Sequence, residues 1–135
     1  MKAWMGVAVV LAFSPLMAVA EDCMDTAVSQ TAMNGCARQA YEAADKQLNA
    51  VYREVTGRLA DEVAAKQKLV AAQRSWIAFR DAECDFASSA LDEGSARMMV
   101  DLGCLETLTR KRIADFQAYL DCPEGDLSCP LPRGD

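Results

Sequence analysis

Apolar residues recur at intervals of three and four along three long stretches of this chain, and nowhere do they alternate with strand period for long enough to make a sheet. From about Thr31 to Leu59, Tyr41, Ala44, Leu48, Val51, Tyr52, Val55 and Leu59 fall on one helical face. Gly57 and the acidic pair Asp61 and Glu62 mark the end of that helix and the start of the next, with Asp61 placed to cap it. A second helix is predicted to run to about Phe86 with Leu69, Ala72, Trp76, Phe79 and Phe86 on its apolar stripe. The polar connection Ser88, Ser89, Asp92, Glu93, Gly94 and Ser95 follows. A third helix, about Ala96 to Leu120, is predicted to bury Met98, Leu102, Leu105, Ile113, Phe116 and Leu120. The expected fold is all-α, a three-helix antiparallel bundle, because short connections make sequential helices antiparallel neighbours.

The N-terminus breaks the pattern. Lys2, the apolar stretch from Trp4 through Val19, and Ala18 and Ala20 around Val19 follow the order of a secretory signal cleaved after Ala20. The apolar run is short and interrupted by Pro15, whereas a spanning helix needs about 20 apolar residues. The expected organisation is therefore a signal peptide over 1–20, a helical domain over 21–122 and a Pro-rich tail over 123–135. Removing the signal leaves about 115 residues, enough for one core that buries roughly two thirds of the unfolded surface. Nothing downstream is long and apolar enough to span a bilayer, so the expected location is periplasmic or secreted, with no membrane insertion after cleavage.

Export changes the reading of the cysteines. All six, Cys23, Cys36, Cys84, Cys104, Cys122 and Cys129, follow the signal, and an exported domain holds its thiols as disulfides by default. Six thiols allow 15 connectivities. Proximity favours Cys23 with Cys36, Cys84 with Cys104 and Cys122 with Cys129, since short loops close most readily. With no histidine and no zinc-type cysteine pair, no metal is expected; with no Cys-x-x-Cys, neither is redox chemistry. The missing histidine also removes Ser-His and Cys-His pairs, and no glycine-rich phosphate loop is present. The chain reads as a non-enzyme without cofactor. Its formal net charge of -6, one unit more negative once Lys2 leaves, argues against nucleic acid and suits a cationic protein partner.

The densest run is Gln73 to Cys84. On a helix, Trp76 and Phe79 are expected to face the core, with Arg80 between Trp76 and Cys84 on the same side. An arginine placed there needs an acceptor, and Asp45 of the first helix, one turn before Asn49, is the expected partner, with Glu83 as the local alternative. Met33 to Cys36, then Tyr41, Ala44, Asp45, Leu48, Asn49 and Tyr52, then Gln73 to Cys84 with Trp76, Phe79, Arg80 and Asp81, then Cys104, Leu105, Thr107, Thr109 and Arg112 closely resemble the bacterial family of lysozyme inhibitor LprI-like domains. The resemblance runs from about Cys23 to Leu120. It implies a small exported helical domain with Cys23 bonded to Cys36 and Cys84 to Cys104, and a role as a proteinaceous inhibitor of lysozyme. Cys122 and Cys129 lie outside that pattern. The expected contact element is the loop carrying Ser88, Ser89, Asp92, Glu93 and Ser95, bracketed by Cys84 and Cys104 and directed at the sugar-binding cleft of a cationic lysozyme. The alternative use of the same acidic surface is a periplasmic adaptor, envelope-stress or toxin-immunity binding protein.

Overall fold

A computed structural model of the chain describes residues 23–123 and 125–132. The signal peptide expected over 1–20 lies outside the described residues. Three long helices, α1 (Gln30–Arg58), α2 (Val63–Ser88) and α3 (Arg97–Leu120), account for most of the described chain, with a short 3-10 turn, Ser89–Leu91, after α2. No strand occurs among the described residues. The first helix starts because Ser29 is extended and its hydroxyl accepts from the Ala32 amide at 3.2 Å, satisfying one of the free N–H groups of the first turn. Glu62, not Asp61, is the residue before α2, and its side chain makes no capping bond. The 3-10 turn ends in a tight bend where the Gly94 amide donates to the Leu91 carbonyl at 2.7 Å. A Cβ on Gly94 would lie 3.3 Å from that oxygen, a tight approach that a larger residue could take only with a small shift of the bend.

Consecutive helices run antiparallel, which leaves α1 and α3 parallel. The Asn34 amide near the start of α1 donates to the Ser95 carbonyl just before α3, and the Arg58 guanidinium at the end of α1 donates to the Leu120 carbonyl at the end of α3. This parallel pair is the main interface, and α2 packs chiefly on α3. Leu48 and Val55 of α1 meet Ile113 and Phe116 of α3 in the core, with Tyr52, Leu69, Trp76, Tyr119 and Leu131 packed around them. Phe116 is fully buried between the tilted rings of Tyr52 and Tyr119, at centroid distances of 5.9 and 6.2 Å.

Burial corrects several expectations, on α2 and at the start of α3. The buried positions of α2 are Gln73, Arg80, Cys84 and Ser88, a stripe that is polar or small, while Phe79 is 56% and Phe86 75% exposed. Adjacent residues stand about 100° apart on a helix, so the apolar stripe read from the sequence lies round the side of the face that α2 buries. Met98, expected in the core, is half exposed at the start of α3, where its sulfur accepts from the Arg38 guanidinium at 3.4 Å.

Three disulfides join Cys23 to Cys36, Cys84 to Cys104 and Cys122 to Cys129, and among the described residues no cysteine is free. The first ties a single helical turn at 23–26 to α1, the second joins the end of α2 to the first half of α3, and the third closes the tail on itself. No helix among the described residues is long and apolar enough to cross a membrane.

Candidate functional site

Arg80 organises the middle of the bundle. Its guanidinium donates from Nε and Nη2 to Oδ1 of Asp81 at 2.9 and 2.8 Å and from Nη1 to the buried Thr109 hydroxyl of α3 at 3.4 Å. The same Nη1 lies 3.8 Å from Asp45 Oδ1 on α1, so the expected inter-helix pair forms, but the tighter partner is the adjacent Asp81. Glu83 is exposed and takes no part. The Asn49 amide donates to Asp45 at 3.0 Å and holds that carboxylate in place.

Arg80 also belongs to an alternating column of cations and rings. Its guanidinium carbon sits 5.7 Å from the Tyr41 ring centre and 5.1 Å from that of Trp76, and Arg112 stands 5.8 Å from Trp76 and 4.4 Å from Phe116. Arg112 donates from Nε to Gln73 Oε1 at 3.0 Å, which gives the buried Gln73 its partner. Asp45, Asn49, Gln73, Trp76, Arg80 and Asp81 thus hold the three helices together; Phe79 stands outside the column. Burial pushes the Tyr41 phenol above the usual tyrosine range, with the Arg80 guanidinium partly opposing it.

Above this column the bundle opens into a cleft of about 790 Å³ between the start of α1, the end of α2, the connecting bend and the start of α3. Among the described residues Asp81, Asp85, Asp92 and Asp101 line it beside Arg80 and Arg97, so these charged side chains sum to -2. Arg97 clamps the bend: its Nη2 lies 2.6 Å from Asp85 Oδ1 and its Nε 3.1 Å from Asp92 Oδ1, although the latter is not aligned as a hydrogen bond. The Asn34 bond to the Ser95 carbonyl and the Cys84 to Cys104 bridge hold the bend from either side.

The proposed contact residues divide on this geometry. Asp92 and Ser95 line the cleft, and Ser89 and Glu93 are exposed beside it. Ser88 is fully buried as the last residue of α2, donating to the Asp85 carbonyl at 3.3 Å, and so faces no partner. Sequence reasoning did not single out Asp85, Arg97 or Asp101. The visible signal was an arginine immediately after an acid-rich connection, where it can pair back across the bend. At the far end of the bundle, Cys122, Asp126 and Cys129 approach one another as metal ligands would, but the two sulfurs are bonded together and offer no thiolate. The Asp126 carboxyl there is held below its usual range by the Ser128 hydroxyl and amide.

An all-α domain with locally closed disulfides, an Arg-centred column and an acidic mouth defines a small bundle that presents a surface. The chain belongs to the lysozyme inhibitor LprI family, whose model matches residues 23–116. A protein of Rhizobium meliloti (strain 1021), described as uncharacterized protein R02472, is 39% identical over 109 residues, covering 73% of this chain and 78% of that protein. No solved structure matches significantly.

Proposed function

We propose that this chain is an exported, non-enzymatic inhibitor of lysozyme that acts by docking the acidic end of its bundle on the enzyme's sugar-binding cleft. The observation that carries the reading, beside family membership, is the carboxylate-lined mouth formed by Asp81, Asp85, Asp92 and Asp101 on a bend fastened from three sides. Complementary charge speeds encounter with a cationic enzyme, and a bend already held in one shape loses little conformational entropy on binding. Ser89, Asp92, Glu93 and Ser95 supply the first contacts, and occlusion of the cleft is sufficient for inhibition. The inhibitor needs no chemistry of its own, and the sequence contains no histidine to provide it. Three disulfides suit the oxidising compartments in which lysozymes act.

The test is the rate at which a peptidoglycan suspension clears under lysozyme with the purified disulfide-bonded protein added. Clearing is expected to slow at micromolar protein, less so as salt screens the charges. Asp92→Asn with Glu93→Gln is expected to weaken the effect without unfolding the domain. Unchanged clearing with every lysozyme class tried would refute the proposal.

A further inference from the structure

One flank of α2 is complementary to itself. Phe79 and Phe86 stand seven residues apart, hence on the same flank and roughly 10 Å from each other, and both residues are more than half exposed. Toward the other end of that flank Ala65 and Ala72, with the same spacing, border a mostly apolar hollow of about 260 Å³ that Leu69 and Leu131 help to line. A single helix thus carries two aromatic knobs at one end and a recess between small residues at the other. A lone exposed ring is unremarkable on a monomer; two at matched spacing with an apolar recess are the form of an isologous contact.

We infer that the chain forms a two-fold symmetric dimer through α2, with the helix of one copy antiparallel to that of its partner. With the axis passing beside Ser75 and Trp76, Phe79 of each copy meets position 72 of the other, and Phe86 meets position 65. Both rings then reach the recess edged by the two alanines. The same register sets Lys68 opposite position 83, a glutamate, in both halves of the contact. This charge match is independent of the fit between rings and recess. A parallel pairing would set Phe against Phe, Lys against Lys and Glu against Glu, losing both features. Asp81 lies about 200° round the helix from Phe79, so the dimer leaves its two acidic clefts open.

The purified disulfide-bonded protein is expected to show twice its monomer mass by sedimentation velocity across the micromolar range. Phe79→Glu with Phe86→Glu is expected to give the monomer mass with an unchanged far-ultraviolet circular dichroism spectrum. Lys68→Glu alone and Glu83→Lys alone should each raise the dimer dissociation constant about ten-fold, since each creates two like-charged contacts, and the two together should return it to within about two-fold. Lys68 and Glu83 are both exposed, so this series decides the matter even if the phenylalanine variant misfolds. A monomer mass for the unaltered protein, a dimer that survives the phenylalanine changes, or a double charge swap no better than the single ones would each overturn the inference.

Discussion

Replacing Arg80 by alanine removes a side chain of α2 that reaches both other helices, Asp45 and Tyr41 on α1 and Thr109 on α3. Its side chain is only 8% exposed, and its guanidinium lies over the rings of Tyr41 and Trp76 and bonds to Asp81 and Thr109. Each ring contact contributes about 0.5 to 1 kcal/mol. The carboxylates of Asp45 and Asp81 are 41% and 57% exposed, so they regain water when the cation goes, and screening limits the ion pairs to about 1 kcal/mol together. Loss of the packed aliphatic stem adds about 1 to 2 kcal/mol. The expected loss is about 3 to 5 kcal/mol, which at about 4 to 8 °C per kcal/mol for a domain near 100 residues lowers the melting temperature by at least roughly 12 °C. Arg80→Lys keeps stem and charge but gives up the planar stack and the forked bond to Asp81, and should lose about half as much. Denaturant unfolding followed by circular dichroism measures both variants. Were Arg80→Ala to unfold within about 0.5 kcal/mol of the parent, the column would not be what holds the helices; were Arg80→Lys to match the parent, stem and charge would suffice and the planar stack and forked bond would contribute nothing.

Phe116→Ala, which empties a fully buried position between two rings, should cost about 3 to 5 kcal/mol in the same assay. Cys84→Ser with Cys104→Ser opens a closure of sequence separation 20 and should lower stability by about 3 kcal/mol while retaining helical content. Tyr41 should ionise above the usual tyrosine range in an ultraviolet absorbance titration, and Tyr41→Phe should remove that component. Because its folded pKa is raised, the Tyr41 contribution to stability is fully present below the unfolded value of about 10 and is lost as pH rises from there through the folded value. Unfolding curves on either side of pH 10 should show that loss in the parent and not in Tyr41→Phe.

The helices were legible because periodicity and breakers agreed: the boundaries read near Leu59, Phe86 and Ala96 fall within two residues of those observed. The face of α2 was not. Hydrophobicity pointed to Phe79 and Phe86, but α2 covers Gln73, Arg80, Cys84 and Ser88, and a polar stripe becomes buryable only when a partner such as Arg112 or Thr109 arrives from another helix. That information is absent from any single stretch of chain. The same limit applies to the cleft. Asp92 and Ser95 were visible as loop residues, whereas Asp85 and Asp101 join them only because the bend folds α2 back along α3. Asp45 could be matched to Arg80 from helical register, with Glu83 as the local alternative, whereas the tighter partner is the adjacent Asp81, to which a long arginine can curl back.

The cysteines are bonded strictly in order of appearance: first to second, third to fourth, fifth to sixth. An oxidase that joins each new thiol to the last unpaired one, as the chain emerges N-terminus first, therefore writes the native connectivity at the first attempt. No bridge has to be broken and remade, and no isomerase is required to correct one. Every bridge also lies within a local segment, so none of them ties α1 to α2 or to α3 across their main interface. Joining the first helix to the last falls to noncovalent packing around Ile113 and Phe116, which become available only when most of the chain is present. Oxidation can thus finish before assembly begins, and an error in one leaves the other uncommitted.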